Sequence, residues 1–117
     1  MVRPGFHSVT PRLVADDPAA LVRFLRDAFG ADGEYESDSP SHMQIGDSIV
    51  MVSGTGPRPA TSAFLHLYVD DADATYVRAL QAGARSLEPP DDMPWGDRRA
   101  MVEDPSGNHW QIATYRP

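Results

Sequence analysis

The sequence predicts an α+β fold of two tandem modules, each a strand, a helix and three further strands. Three observations carry that prediction. A tight hairpin occurs twice, around Gly46-Asp47 in "HMQIGDSIVMVSG" and around Asp104-Pro105-Ser106-Gly107 in "VEDPSGNHWQIAT". A helical segment precedes each hairpin. "VRFL" at 22–25 corresponds to "VRAL" at 77–80, each followed shortly by glycine, which makes a diverged repeat of roughly half the chain.

In chain order, Ser8 to Ala15 reads as the first strand, with Pro11 tolerated only at a sheet edge or where no ladder bond is needed. "DDPAALVRFLRDAFG" reads as a helix. Asp17 caps it, Pro18 suits its first position and Gly30 stops it. Leu21, Phe24, Leu25 and Ala28 recur at i, i+3, i+4 and i+7, one apolar stripe. Glu34 to Asp38 is a polar strand candidate that Pro40 ends. His42 to Ile45 and Ser48 to Ser53 form the first hairpin.

Residues 54–62, "GTGPRPATS", read as a flexible linker. Phe64 to Val69 opens the second module. Asp71 caps a helix running to Ala82, with Tyr76, Ala79 and Leu80 facing inward and Gly83 as its stop. Ser86 to Glu88 is a short strand and "PPDDMPWGD" a proline-rich loop. Arg98 to Glu103 and Asn108 to Thr114 form the last hairpin. Pro105 presets one turn position, and Gly107 supplies the backbone freedom the reversal needs. The modules therefore span about 8–53 and 63–115 of a single domain.

Bulk properties exclude several functions. The 117 residues fit one domain able to bury its own core. No cysteine means no disulfide, thiolate nucleophile or cysteine metal ligand. All 10 basic residues are arginine, so no lysine Schiff base can form. A net charge of -7 argues against a nucleic-acid partner. No apolar run is long enough to span a membrane, and "MVRPGFHSV" lacks the apolar core of a signal peptide. A soluble cytoplasmic protein is expected.

"VEDPSGNHWQIAT" together with "FLHLYVDDADATYVRALQAGA" resembles the vicinal oxygen chelate superfamily, which includes glyoxalase I, extradiol dioxygenases and the fosfomycin- and bleomycin-resistance proteins. "PPDDMPWGDRRAMVEDPSGNHWQIAT" is most similar to its PhnB-like, glyoxalase-related branch. The resemblance covers about Ser8 to Tyr115. It implies curved mixed sheets enclosing a cavity, and a homodimer whose modules complete the cavities. Many chemistries share this fold, so it implies no single activity.

Alternation assigns faces within the strands. Leu65, Leu67 and Val69 form the aliphatic set that packs on the helix, which sends Phe64, His66 and Tyr68 to the cavity. Val50, Val52, Trp110 and Ile112 likewise face the helix. Ile49, Met51, Ser53, His109, Gln111 and Ala113 face the cavity, joined by Thr10 and Arg12. Of the adjacent Arg98 and Arg99, one points inward, and the sequence does not say which.

Metal-dependent relatives carry four ligands, typically His or Glu, on the first and last strand of each module. The resemblance places these at Thr10, Met51, Phe64 and Gln111. None is a His, Asp, Glu or Cys, so no metal and no other cofactor is expected. A displaced site on His66, His109 and Glu103 is the alternative.

The remaining residues describe a pocket wall. Phe64, Tyr68, Met51 and Ile49 offer apolar surface, and His66, Arg12, Thr10 and Gln111 offer polar anchors. Trp95 either closes over the pocket or plugs its own loop. Arg12 needs a partner, an acidic ligand group or an internal carboxylate such as Glu103. The leading expectation is a metal-free binder of an aromatic or amphipathic small molecule through Thr10, Arg12, Met51, Phe64, His66, Tyr68, Trp95 and Gln111. The alternative is a lyase, isomerase or dioxygenase-like enzyme, using a displaced divalent metal or His66 as acid–base catalyst.

Overall fold

A computed structural model describes residues 1–117, which divide into two compact units, Met1–Thr61 and Ser62–Pro117. Two helices and two mixed sheets build them. The first unit holds β1 (Arg12–Val14), α1 (Pro18–Phe29), β2 (Ser41–Ile45) and β3 (Ser48–Ser53), with the sheet order β1-β3-β2. The second holds β4 (Phe64–Tyr68), α2 (Ala72–Gln81), β5 (Arg85–Asp92), β6 (Arg98–Glu103) and β7 (His109–Thr114), with the order β4-β7-β6-β5. In each unit the opening strand runs parallel to the closing one, and the remaining pairs are antiparallel.

Local chemistry sets α1. The Asp17 carboxylate accepts from the Ala20 N–H, Pro18 opens the helix, and Gly30 closes it with φ of 65°, a left-handed conformation that suits glycine. Leu21, Val22, Phe24, Leu25 and Ala28 are buried, and α1 packs on β2 and β3. Leu13, Met43, Ile45, Val50 and Val52 complete this core from the sheet.

The first strand is shorter than the expected Ser8 to Ala15. Pro11 has no N–H to give the ladder, so pairing begins only with its carbonyl, which accepts from Met51 N–H at 2.9 Å. The expected strand at Glu34 to Asp38 does not form. A single bridge, Asp32 to Gln44, stands in its place. Gly33 adopts φ of 139°, and a Cβ there would meet the His42 carbonyl oxygen at 2.4 Å, so the chain turns away where a strand would continue.

In the second unit, Asp71 caps α2 by accepting from the Ala74 N–H. Its buried stripe is Ala72, Thr75 and Ala79, not Tyr76, Ala79 and Leu80. Small residues let α2 lie close on β5, β6 and β7, where Ala100, Val102, Trp110 and Ile112 are buried. Tyr76 sits at the flank and donates its hydroxyl to Ser86 Oγ at 2.7 Å. The expected short strand at Ser86 to Glu88 extends to Arg85–Asp92 and takes in Pro89 and Pro90. Being the sheet's edge, β5 tolerates them, and its pairing with β6 shifts register on both sides of Glu88.

The turn between β6 and β7 is held by Asp104, which is buried. Its Oδ1 accepts from the backbone N–H of Ser106 and Asn108, and its Oδ2 from Asn108 Nδ2 and Trp110 Nε1, all at 2.9 to 3.0 Å.

Candidate functional site

Strand register fixes which side chains share the face of the second sheet opposite α2. His66 stands opposite Gln111, and Gln111 opposite Met101. Phe64, His109 and Glu103 form the row on one side, and Tyr68, Ala113 and Arg99 the row on the other. Phe64, His66 and Tyr68 of β4 therefore share one face with His109, Gln111 and Ala113 of β7. The degree of cover differs, because β4 is an edge strand. Leu65 and Leu67 are only half-buried on the helix side, while Phe64 and Tyr68 on the other side are each 63% exposed.

Polar pairs order this open face. His66 Nδ1 lies 2.9 Å from Gln111 Oε1, and the His66 ring packs edge-on against Tyr68 with centroids 4.7 Å apart. An amide oxygen only accepts, so in this pairing Nδ1 is the donor. His109 Nε2 lies 3.1 Å from Glu103 Oε1, and Arg85 donates to Glu103 Oε2 at 3.1 Å. The His109 hydrogen bond first, and then that of Arg85, holds the Glu103 carboxyl below the usual carboxylate range.

The question of Arg98 and Arg99 is settled by register. Arg98 lies on the helix side and pairs with Asp73 of α2 and with Asp92. Arg99 lies on the open face, donates to Glu88 at 3.0 Å, and places its guanidinium 5.6 Å from the centre of the Trp95 ring. Its Nε is buried without a hydrogen-bond partner. Trp95 itself is 62% exposed, so it does not plug its own loop. Ala113 was expected on this face and is there, yet it is fully buried, a methyl set between Tyr68 and Arg99.

Of the expected site residues, Phe64, His66, Tyr68, Trp95 and Gln111 thus belong to the second unit, around one face. Thr10, Arg12 and Met51 belong to the first. Thr10 falls outside β1, and its hydroxyl donates to the His7 carbonyl at 3.4 Å. Arg12 has no carboxylate partner. Its Nε donates to Ser53 Oγ at 3.1 Å, and Glu103, the carboxylate expected to meet it, is engaged by His109 and Arg85. Arg12 lines an open groove of about 380 Å³ with Tyr35, Glu36, Asp38 and Ser53. Met51 is half-buried between Arg12 and His42, and Phe6 packs edge-on against the His42 ring at 4.9 Å.

Thr10, Met51, Phe64 and Gln111, the positions to which the resemblance carries the metal ligands, offer a hydroxyl, a thioether, a phenyl ring and an amide whose oxygen already meets His66. That donor set does not fit a divalent ion. His66 is turned to Gln111 while His109 meets Glu103, and no group of three or more His, Cys, Asp or Glu side chains is placed to hold a metal. Sequence reasoning did not find Glu88 as the partner of Arg99. Arg99 stands opposite Asp91 in the ladder, and a register shift between Glu88 and Asp91 separates that position from Glu88.

Comparison with known proteins bears on the family. Residues 5–112 match the model of the Glyoxalase/Bleomycin resistance protein/Dioxygenase superfamily. The uncharacterized protein Mb0911c of Mycobacterium bovis is 34% identical over 90% of this chain and 81% of its own. The putative glyoxylase CFP32 of the same species is 37% identical over 64% of this chain, which spans 30% of that protein. Among solved structures, TioX from Micromonospora sp. ML1 superposes with a TM-score of 0.81 at 27% identity, covering 94% of this chain and 99% of its own. A family enzyme from Burkholderia phytofirmans PsJN shares the fold, with a TM-score of 0.78 at 18% identity over 90% of this chain and 95% of its own. No helix is long and apolar enough to cross a membrane. The chain belongs to the glyoxalase/bleomycin resistance protein/dioxygenase superfamily.

Proposed function

We propose that this chain binds an aromatic or amphipathic small molecule on the open face of its second sheet, without turnover and without a metal ion. One observation carries the reading. Phe64 and Tyr68, each 63% exposed, flank His66 on one face of β4, while the aliphatic Leu65 and Leu67 take the other. A folded chain gains nothing by presenting two aromatic rings to water unless something covers them. Around them stand a few fixed polar groups, Gln111, His109, Glu103 and Arg99, and apolar surface with sparse, ordered polar anchors suits a small-molecule site. The resistance proteins in the superfamily's own description support a binding role. The "PPDDMPWGD" segment that carries Trp95 supports the PhnB-like branch.

The test is a thermal-shift screen of aromatic and amphipathic compounds, followed by titration read through Trp95 fluorescence. A ligand of this class should raise the melting temperature and change the Trp95 signal. Phe64→Ala and Tyr68→Ala should each abolish both responses. A ligand that acts equally on the parent chain and on both variants would show that the face is not its site.

A second reading is favoured by one contact. His66 Nδ1 is turned to Gln111, which directs Nε2 to an exposed face where it is available as an acid–base group. A lyase, isomerase or dioxygenase-like enzyme would use it. Turnover of a bound compound that His66→Asn removes while binding persists would replace the first reading. So would a stoichiometric divalent metal found by elemental analysis. The same proposal takes the chain as a homodimer, and sedimentation showing only monomer at micromolar concentration would contradict that.

A further inference from the structure

We propose that the cleft where β4 and β7 end takes the head of an organic ammonium cation, with Asp70 as counter-charge and the rings of Tyr68 and Tyr115 as walls. The cleft has a volume of about 380 Å³ and is lined by Tyr68, Val69, Asp70, Thr114 and Tyr115. The two tyrosines are 63% and 66% exposed. Aromatic faces attract cations, and most strongly those, such as quaternary ammonium groups, that water holds weakly.

The polar groups of the cleft select the sign of the charge. The donors of Val69, Ala72 and Thr114 are already engaged. Val69 N–H donates to the Ala113 carbonyl at 2.8 Å and Ala72 N–H to Thr114 Oγ1 at 2.8 Å, while the Thr114 hydroxyl donates to the Val69 carbonyl at 3.1 Å. The nearby arginines are neutralised, Arg98 by Asp73 and Asp92, and Arg116 by Asp92. Asp71 is engaged at the helix cap. The ion pairs of this unit use Asp73, Asp92, Glu88 and Glu103, which leaves the exposed Asp70 unpaired. The chain's net charge of -7 adds a field that draws cations toward it.

This site goes beyond the open-face ligand. The two share Tyr68, but Asp70 and Tyr115 belong to the cleft alone. Choline is the probe, and dimethylbutanol, its uncharged carbon isostere, the control. In a heteronuclear NMR titration of the full chain, choline should shift the amide signals of Val69, Asp70, Thr114 and Tyr115 saturably, and the isostere should not. Asp70→Asn and Tyr115→Leu should each weaken choline binding by about tenfold with an unchanged melting temperature. Asp70→Asn should leave the Trp95 response to an aromatic ligand intact, which separates failure of this site from failure of the open-face reading. Absence of saturable shifts, an equal response to the isostere, or unaltered choline affinity in either variant overturns the proposal.

Discussion

His66 stands directly opposite Gln111 in the parallel pairing of β4 with β7, with Nδ1 2.9 Å from the amide oxygen. With Nδ1 as donor, this pairing favours the Nδ1–H tautomer of a neutral ring. Gln111→Leu should release the ring. Imidazole nitrogen shifts of the neutral form should report the Nδ1–H tautomer in the parent chain and move toward Nε2–H in the variant. An identical tautomer in both would show that Gln111 does not orient His66.

Asp104→Asn keeps the shape of the β6–β7 turn and changes its chemistry. The new amide nitrogen must face donors, Asn108 Nδ2 and Trp110 Nε1, where Asp104 Oδ2 now accepts. A loss of about 2–3 kcal/mol in unfolding free energy is expected, the range for a buried charged hydrogen-bond partner removed from its donors. Guanidinium unfolding followed by the buried Trp110 measures it. A loss below about 0.5 kcal/mol would mean the turn is held by its backbone alone.

Glu103→Gln should change how stability depends on pH. His109 first, and Arg85 second, lower the Glu103 carboxyl below its ordinary range. A lowered folded-state value stabilises the fold above the unfolded-state value, and that contribution is lost as pH falls through the lowered one. Glutamine does not ionise. The gap in denaturant midpoint between parent and variant should therefore be present at neutral pH and close by about pH 2. The same gap at both ends would assign the effect to packing.

Trp95 and Trp110 should separate as optical reporters, since they are 62% and 3% exposed. Trp95→Phe should leave a blue-shifted emission that acrylamide quenches poorly, and the parent chain should show an added, readily quenched component. An unaltered quenchable fraction in Trp95→Phe would contradict the exposure of this ring beside Arg99.

What could be read from the sequence was what is local. Asp17, Pro18 and Gly30 delimit α1 through their own backbone chemistry, and the two-residue period of β4 fixes its faces. What could not be read depends on distant partners. The stripe of α2 rotates to Ala72, Thr75 and Ala79 because that face fits three strands of its sheet. Pro89 and Pro90 read as a loop, but an edge strand accommodates them. The roles of Arg98 and Arg99 follow only from pairing, which sends one to Asp73 and the other to Glu88. Alternation placed Phe64 and Tyr68 on one face with His66. Their exposure follows from the position of β4 at the sheet's margin, which no periodicity encodes.

Asn108, itself gripped by Asp104, reaches 45 residues back to accept from the Ala63 N–H at 2.9 Å, beside the His109 N–H that donates to the Ala63 carbonyl at 2.8 Å. These bonds clamp β4 just before its first residue and so set its phase against β7. A slip of one position would turn Leu65 and Leu67 outward and bury the aromatic rings. Whether this surface can greet a ligand or would merely stick to its neighbours thus turns on two hydrogen bonds to a single alanine just ahead of the strand.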